Sequence, residues 1–375
     1  MHCLTFLIKP ASSLCGLRCR YCFYADEAAN RQLGNMGLMS EQTVDLLLTQ
    51  AFSTISPGGS IQFTFQGGEP TLVGLAWFQS FTSKARLACP DGVQLRFSIQ
   101  TNGMELDASF AEFFHREHYL VGLSIDGFRE NHNLWRVDTQ GDGTWSRAVK
   151  ALRLLQNHNV DVNVLCVVTG HCARNPEKAY KTLKNLGARY LQFIACLDPI
   201  AQERGGQIWS VTAEEYGSFL CRLFDLWYQD WAAGDYCSIR LFEDYVHLLL
   251  GDQGGTCSTC GNCGQYLLVE ADGSVYPCDF FALDNWKLGS LREDSLESLL
   301  TGQRAQDFLA WGSEKPEECA SCPWKILCNG GCKNDWLPGD KPHNVHCQAF
   351  RRFFAYSQER LITVARAEQA ARRRG

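Results

Sequence analysis

The stretch SSLCGLRCRYCFY, residues 12–24, places three cysteines close together and flanks the last one with aromatic residues. The spacing is C-x3-C-x2-C, at Cys15, Cys19 and Cys22. Three thiols cannot all pair in disulfides, and a structural zinc site needs four ligands. Because thiolates usually hold iron–sulfur clusters, the spacing favours a cluster with one open iron. A zinc site with a distant fourth ligand, such as a histidine, remains the alternative.

Strand-like and helix-like segments alternate around this stretch, from residue 4 to about residue 235. The strand-like segments are 4–9, 60–66, 94–101, 119–126, 160–169 and 189–197. The helical patterns between them include SEQTVDLLLTQAF, with Ser40 as the expected N-cap, and WSRAVKALRLLQNH. Such alternation predicts parallel βαβ units that curl into an α/β partial (β/α)6 barrel. The loops after the strands are expected to carry the chemistry.

The composition narrows the class of protein. The net charge of −6 argues against general nucleic-acid binding, and the sequence has no run of 18 apolar residues that would predict a membrane span. The N-terminal segment does not have the pattern of a signal peptide. We therefore expect a cytoplasmic protein, in which clustered thiols among the 19 cysteines are metal ligands rather than disulfides.

A second field of cysteines begins after about residue 236. We place a barrel domain at residues 1–235 and a metal-rich domain at residues 236–375. The segment YLLVEADGSVYPC, residues 266–278, predicts a β-hairpin with its turn at Asp272 and Gly273. The cysteines of this field are Cys257, Cys260, Cys263, Cys278, Cys319, Cys322, Cys328, Cys332 and Cys347.

Two motifs resemble those of radical S-adenosylmethionine (SAM) enzymes. CGLRCRYCFY is similar to the CxxxCxxC loop of that family, and FQGGEPT, residues 65–71, is similar to its GGE motif. The resemblance implies that a [4Fe–4S] cluster binds SAM through its open iron and cleaves it to a radical that abstracts a hydrogen atom. Gly67 and Gly68 lack side chains, so their backbone can approach the methionine end of SAM.

The second cysteine field resembles a SPASM domain, with the pattern C-x2-C-x5-C-x3-C-xn-C from Cys319 to Cys347. That resemblance implies two further, fully ligated [4Fe–4S] clusters, which gives three clusters for the chain. One would be held by Cys257, Cys263, Cys278 and Cys332, and the other by Cys319, Cys322, Cys328 and Cys347. Cys260 is interpreted as an unligated neighbour, although its C-x2-C spacing also permits a metal pair.

Longer segments resemble the anaerobic sulfatase-maturating enzymes, including LIKPASSLCGLRCRYCFY, FQGGEPTL, LVGLSIDG and DGSVYPCDF. The resemblance implies oxidation of a Cys or Ser in a Cys/Ser-x-Pro/Ala-x-Arg motif of a sulfatase to Cα-formylglycine. The implied partners are an unfolded or nascent sulfatase polypeptide and a flavodoxin- or ferredoxin-like reductant.

The same resemblance implies roles for individual residues. Asp279, next to Cys278, matches the general base of the family, and a cap of the local turn is its structural alternative. Arg136 is expected to pair with the SAM carboxylate. The residues that match SAM contacts are Tyr21, Gly68, Ser124, Arg136 and Leu197. Those expected to position SAM or the peptide are Tyr24, Gln66 and Glu69.

Two other interpretations remain open at this point. One is a different radical SAM–SPASM enzyme that modifies peptides, for example by forming thioether cross-links. The other is a protein without catalytic activity, either an iron–sulfur electron carrier or a zinc-stabilised scaffold. Neither a carrier nor a scaffold needs the GGE motif or a barrel of this size.

Overall fold

The structure is a computed structural model that describes residues 1–200, 202–337 and 343–374. Within these ranges, ten strands form one sheet and two short strands form a separate pair. The strands are β1 (Cys3–Lys9), β2 (Ser60–Phe65), β3 (Gln94–Thr101), β4 (Leu120–Ser124), β5 (Asp161–Val168), β6 (Tyr190–Ala195), β7 (Ser238–Ile239), β8 (Leu267–Glu270), β9 (Ser274–Tyr276), β10 (Gly289–Ser290), β11 (Trp336–Leu337) and β12 (His343–Asn344).

The six predicted barrel strands are confirmed, with ends that differ by at most two residues. Strands β1 to β7 are parallel neighbours in chain order, and β7 and β10 form the edges of an open sheet. Phe6, Phe63 and Phe97 are register partners on β1, β2 and β3, and their buried rings stack at 5.7 and 6.0 Å. This α/β partial barrel places the carboxyl ends of six strands around one opening.

Helices cover the outside of the sheet, because their apolar faces pack onto it. Ser40 caps its helix as predicted, since its Oγ accepts from the backbone N–H of Thr43. No helix of the described residues is long and apolar enough to cross a bilayer. The helices are α1 (Phe23–Ala29), α2 (Glu41–Thr54), α3 (Leu75–Ala88), α4 (Ala108–Arg116), α5 (Arg129–Trp135), α6 (Trp145–Asn157), α7 (Gly170–Ala173), α8 (Pro176–Asn185), α9 (Ala213–Ala233), α10 (Arg240–Leu249), α11 (Cys257–Cys260), α12 (Leu296–Thr301), α13 (Gln303–Ala310), α14 (Glu317–Ala320), α15 (Lys325–Cys328) and α16 (Cys347–Arg372).

The cysteine-rich region continues the barrel sheet. Strand β8 pairs parallel to β1, and β8 and β9 form the predicted hairpin, with Gly273 at a φ of +90° in its turn. Helix α16 packs along α9. The division at residue 236 therefore stays a prediction about domains, while a single sheet runs across it.

Four buried charged residues join the two regions beneath the opening. Oε1 of Glu27 and Oε1 of Glu270 each lie 2.8 Å from Nζ of Lys9, and Nη1 of Arg31 lies 3.1 and 2.6 Å from the same two oxygens. All four side chains are shielded from solvent. This ion cluster links β1, the chain around α1 and β8.

Candidate functional site

The three cysteines of the first motif line one cavity at the carboxyl ends of the strands. The loop that carries them is held by backbone hydrogen bonds from Arg18 to Val137 and from Arg20 to Trp135, at 2.7 and 2.9 Å. The cavity measures about 200 Å³ and is called the barrel cavity below. Its lining includes Cys15, Cys19, Tyr21, Cys22, Tyr24, Gln66, Gly67, Gly68, Asn102, Ser124, Arg136, Leu197 and Asp279.

Gly68 holds the GGE segment against the cysteine loop. Its φ is +56°, and a Cβ at this position would lie 2.4 Å from the carbonyl oxygen of Leu14 and 2.7 Å from that of Ser12. Only glycine tolerates both the positive φ and this close approach. From the sequence, glycine at position 68 was expected to let the backbone approach SAM. In the structure it also lets the GGE segment approach the backbone of the cysteine loop.

Arg136 and Tyr21 meet at a buried carboxylate that sequence reasoning did not single out. Oδ2 of Asp126 accepts hydrogen bonds from the Tyr21 hydroxyl and from Nε of Arg136, the latter at 2.9 Å. Its Oδ1 accepts from the backbone N–H of Val167 at 3.0 Å. Among the described residues, Arg136 makes hydrogen bonds to side chains through Nε alone, so its terminal nitrogens are free to meet a carboxylate in the cavity.

Asp279 closes the barrel cavity from the side of the cysteine-rich region. Its Oδ2 accepts from the Tyr24 hydroxyl at 3.1 Å, and that hydroxyl in turn accepts from Nε2 of Gln66 at 2.6 Å. Its Oδ1 accepts from the Tyr266 hydroxyl. Burial and the Asp279 carboxylate raise the pKa of the Tyr24 hydroxyl well above its ordinary value, so this phenol remains a donor.

The remaining predicted contacts are placed as follows. Ser124 ends β4, and its Oγ accepts from Nε2 of Gln100 at 3.0 Å. Leu197 lies just after β6 in the wall of the cavity. Glu69 is outside the lining: its buried carboxylate accepts from Thr101 and from the backbone N–H of Asn102. In this structure Glu69 caps the end of β3 and the 3-10 turn Pro70–Val73, and burial raises the pKa of its carboxyl.

A second cavity lies beside the barrel cavity and shares Phe280 with it. It measures about 260 Å³ and is called the inner cysteine cavity. The cysteines in its lining are Cys257, Cys263, Cys278 and Cys332. These are the four that the SPASM resemblance assigns to one cluster, and their ligation stays a prediction. Cys260 is absent from this lining, and its Sγ contacts the carbonyl oxygen of Gly254 at 3.0 Å.

A third cavity of about 240 Å³, the outer cysteine cavity, follows the inner one. The two share Lys315 and Asn329, so the three cavities form a continuous series from the barrel outward. The cysteines in the lining are Cys319, Cys322, Cys328 and Cys347. This is the second set of four that the sequence comparison implied.

The donor atoms suit clusters better than single ions. Among the described residues, no three His, Cys, Asp or Glu side chains converge on a point where one metal ion could sit. Burial raises the pKa of the Cys19 thiol to about 12 and that of Cys257 to about 11. Buried thiolates need a cationic partner to be stable, and iron placed between them would supply it. Sets of three, four and four thiols around cavities therefore fit [4Fe–4S] clusters.

Comparison with known proteins matches both regions. Residues 10–186 match the radical SAM superfamily, and residues 256–323 match an iron–sulfur cluster-binding (SPASM) domain. The cysteine-type anaerobic sulfatase-maturating enzyme of Clostridium perfringens is 39% identical over 365 residues, which cover 96% of this chain and 98% of that relative. The chain belongs to the anaerobic sulfatase-maturating enzymes. The cysteine-type enzyme of Clostridium novyi is 36% identical, over 98% of each chain.

A solved structure of this family has the same fold. Native anSMEcpe with bound AdoMet superposes with a TM-score of 0.92 at 39% identity, over 97% of this chain and 99% of that one. The chain is thus a radical SAM enzyme of this family, with SAM and [4Fe–4S] clusters as its cofactors.

Sequence reasoning missed Asp126 and Tyr266, which contact the predicted residues Tyr21, Arg136 and Asp279. A weak signal existed for both. Asp126 lies two residues after the end of β4, at the end of the sheet where the chemistry was expected. Tyr266 is the first residue of the hairpin segment that ends at Cys278, so it could have been predicted as a cross-strand neighbour of Cys278 and Asp279.

Proposed function

We propose that this enzyme oxidises a cysteine of a sulfatase polypeptide to Cα-formylglycine. Two cysteine-type relatives are 36% and 39% identical to the chain, whereas the serine-type enzyme of Klebsiella aerogenes is 31% identical. A solved structure of anSMEcpe contains AdoMet and the peptide Cp18Cys, and it superposes with a TM-score of 0.91. The observation that carries the proposal is the position of Asp279, in the wall of the barrel cavity and next to Cys278 of the inner cysteine cavity.

The residues around the barrel cavity supply two kinds of binding. Cys15, Cys19 and Cys22 would hold the open cluster, and the terminal nitrogens of Arg136 would meet the SAM carboxylate in a charge-assisted hydrogen bond. Asp126 keeps that guanidinium in place. When bound, SAM and the clusters would supply the one-electron chemistry. That chemistry comprises removal of a hydrogen atom from the substrate carbon and acceptance of one electron from the substrate.

Asp279 supplies the proton chemistry. The substrate must also lose its thiol proton before a carbon–sulfur double bond can form. Water then hydrolyses that double bond to give the aldehyde and hydrogen sulfide. The Asp279 carboxylate faces the barrel cavity, so it can accept that proton. Tyr24 and Tyr266 hold one oxygen each, which fixes the direction of the lone pairs. Gln66 in turn orients the Tyr24 hydroxyl.

The substrate would reach the base as an extended segment. A smaller cavity of about 120 Å³ adjoins the barrel cavity, and the two share Phe23, Leu197 and Phe280. Cavities of these sizes accommodate an extended chain but not a folded domain, which supports an unfolded or nascent sulfatase as the partner. A flavodoxin- or ferredoxin-like protein would supply the electron. Unpaired thiols in these numbers suit the reducing cytoplasm.

The test uses the reduced, cluster-reconstituted protein with SAM and two synthetic peptides that differ only in Cys or Ser at the target position. Mass spectrometry should detect formylglycine, with faster turnover of the Cys peptide. A folded, unmodified sulfatase containing the same motif should react far more slowly than the peptide. SAM cleavage without formylglycine from either peptide would contradict the proposal and favour another peptide modification.

A further inference from the structure

Tyr266 is fixed at the junction between the barrel cavity and the inner cysteine cavity. It directly precedes β8, and its ring packs against a small apolar cluster beneath the hairpin. That cluster consists of Leu7, Leu268, Tyr276 and Ala282. The ring therefore has little freedom to move, and the hydroxyl is held at one place in the lining of the inner cysteine cavity.

The Tyr266 hydroxyl contacts two acceptors that the proposed reaction uses. It donates to Oδ1 of Asp279, and it lies 3.2 Å from Sγ of Cys278. A phenol has one hydrogen, so it serves one of these acceptors fully at a time. As a cluster ligand, the Cys278 sulfur would be a thiolate and could only accept. The same hydroxyl thus touches both the base and a ligand of the neighbouring cluster.

We propose that Tyr266 is a positioning residue that links the base to the neighbouring cluster, because its hydroxyl is shared between the Asp279 carboxylate and the Cys278 thiolate. This inference rests on the proposed function for the identity of the base and of the cluster ligand. Among the described residues, no other side chain forms hydrogen bonds with both groups.

The positioning role follows from the shared hydroxyl. In the proposed reaction the substrate would give its thiol proton to Asp279 and one electron to the cluster in the inner cysteine cavity. By contacting both Oδ1 of Asp279 and Sγ of Cys278, the hydroxyl fixes the base relative to that cluster. A hydrogen bond to a ligand sulfur raises the reduction potential of a cluster. Loss of the hydroxyl should therefore both misplace the base and lower the potential of this one cluster.

The first measurement is the reduction potential of the clusters, which needs no substrate. Replacing Cys15, Cys19 and Cys22 by Ala removes the open cluster, so that the two remaining clusters can be titrated by electron paramagnetic resonance. In this background, Tyr266→Phe should lower one of the two midpoint potentials and leave the other unchanged. Tyr180→Phe is the matched control, because it removes the hydroxyl of a buried tyrosine that donates to the carboxylate of Asp230 at 2.7 Å. Tyr180 lines none of the three cavities that the cysteine motifs surround.

The second measurement is the ratio of formylglycine to 5′-deoxyadenosine in the otherwise wild-type enzyme with the Cys peptide. Tyr266→Phe should lower this ratio about 10-fold or more, as loss of an outer hydrogen bond to a metal site commonly does. Tyr180→Phe should keep the wild-type ratio. The inference is overturned if both midpoint potentials of Tyr266→Phe equal those of the parent, or if its product ratio equals that of the wild type.

A third variant keeps the test independent of folding. Incorporating 3,5-difluorotyrosine at position 266 retains the ring and strengthens the hydroxyl as a donor, so the same midpoint potential should rise instead of falling. An unchanged potential in this variant also contradicts the inference. Failure of the proposed function looks different: the wild type would make no formylglycine from either peptide, while the potential would still respond to the Tyr266 substitutions.

Discussion

The Tyr24 hydroxyl donates a hydrogen bond of 3.1 Å to Oδ2 of Asp279, although the two residues are 255 positions apart in the chain. Tyr24 follows the first cysteine motif, and Asp279 follows a cysteine of the second field. The ring of Tyr24 also lies over the Lys9 ammonium, at 5.3 Å, which ties it to the buried ion cluster. The orientation of the base is therefore set jointly by the barrel and by the cysteine-rich region.

Asp279→Asn should separate hydrogen abstraction from product formation. Asparagine keeps the size and the hydrogen-bonding side chain but cannot take the thiol proton. Because abstraction comes first, 5′-deoxyadenosine should still form with peptide, while formylglycine falls by about 10²–10⁴. Chromatography of both products from one reaction measures this. Asp284→Asn, which changes an exposed carboxylate nearby, should behave as the wild type. Equal losses of both products and of iron would show that Asp279 is only structural.

Cys260 and Cys263 should differ in their effect on iron content. Cys263 lines the inner cysteine cavity and Cys260 does not. With three [4Fe–4S] clusters, the wild type should hold about 12 irons per chain. Cys260→Ala should keep that number, and Cys263→Ala should lower it toward about eight. Iron and sulfide analysis after reconstitution measures this difference. A loss of iron in Cys260→Ala alone would mean that Cys260, and not Cys263, is the cluster ligand.

Glu270→Gln should destabilise the fold, because it removes one of the two carboxylates that neutralise Lys9 and Arg31. Breaking a buried ion pair on one side costs about 3–5 kcal/mol. Glu130→Gln is the control, since its 3.0 Å pair with Lys178 is exposed and such pairs contribute about 1 kcal/mol or less. The denaturant midpoint, followed by circular dichroism, should fall clearly for the first variant alone. Equal midpoints would mean that the ion cluster does not stabilise the junction.

His132 should make the protein less stable in mild acid. Its buried ring accepts from the backbone N–H of Asp126, and burial lowers its pKa to about 4. In the unfolded chain the His132 ring binds a proton near pH 6.5, whereas in the folded chain it binds one only near pH 4. The free energy of unfolding therefore falls as pH drops through this window, by up to about 1.4 kcal/mol per pH unit.

Denaturant midpoints at several pH values test this assignment. His132→Gln should flatten the dependence between about pH 6.5 and pH 4, because glutamine does not titrate there. His2→Gln, at an exposed position, should leave the dependence of the wild type intact. A variant at position 132 with an unchanged slope would assign the acid sensitivity to other groups.

The sequence alone determined the elements and the cysteine chemistry. All six barrel strands and the hairpin of residues 266–278 could be predicted, because the periodicity of apolar side chains and the turn residues are local features. The ligand candidates could be predicted because Cys15, Cys19 and Cys22 lie in one short loop. The role of Asp279 came from resemblance, since a single Asp after a Cys carries no signal of its own.

Only the tertiary structure decided which groups surround those residues. Asp126 reaches Tyr21 across 105 positions, and Arg31 reaches Glu270 across 239. Each of these side chains is an ordinary polar residue in its own segment, and no local pattern records its partner. The physical reason is that a buried charge is stable only where the fold supplies an opposite charge or hydrogen bonds, and that partner comes from whichever strand the sheet places next to it.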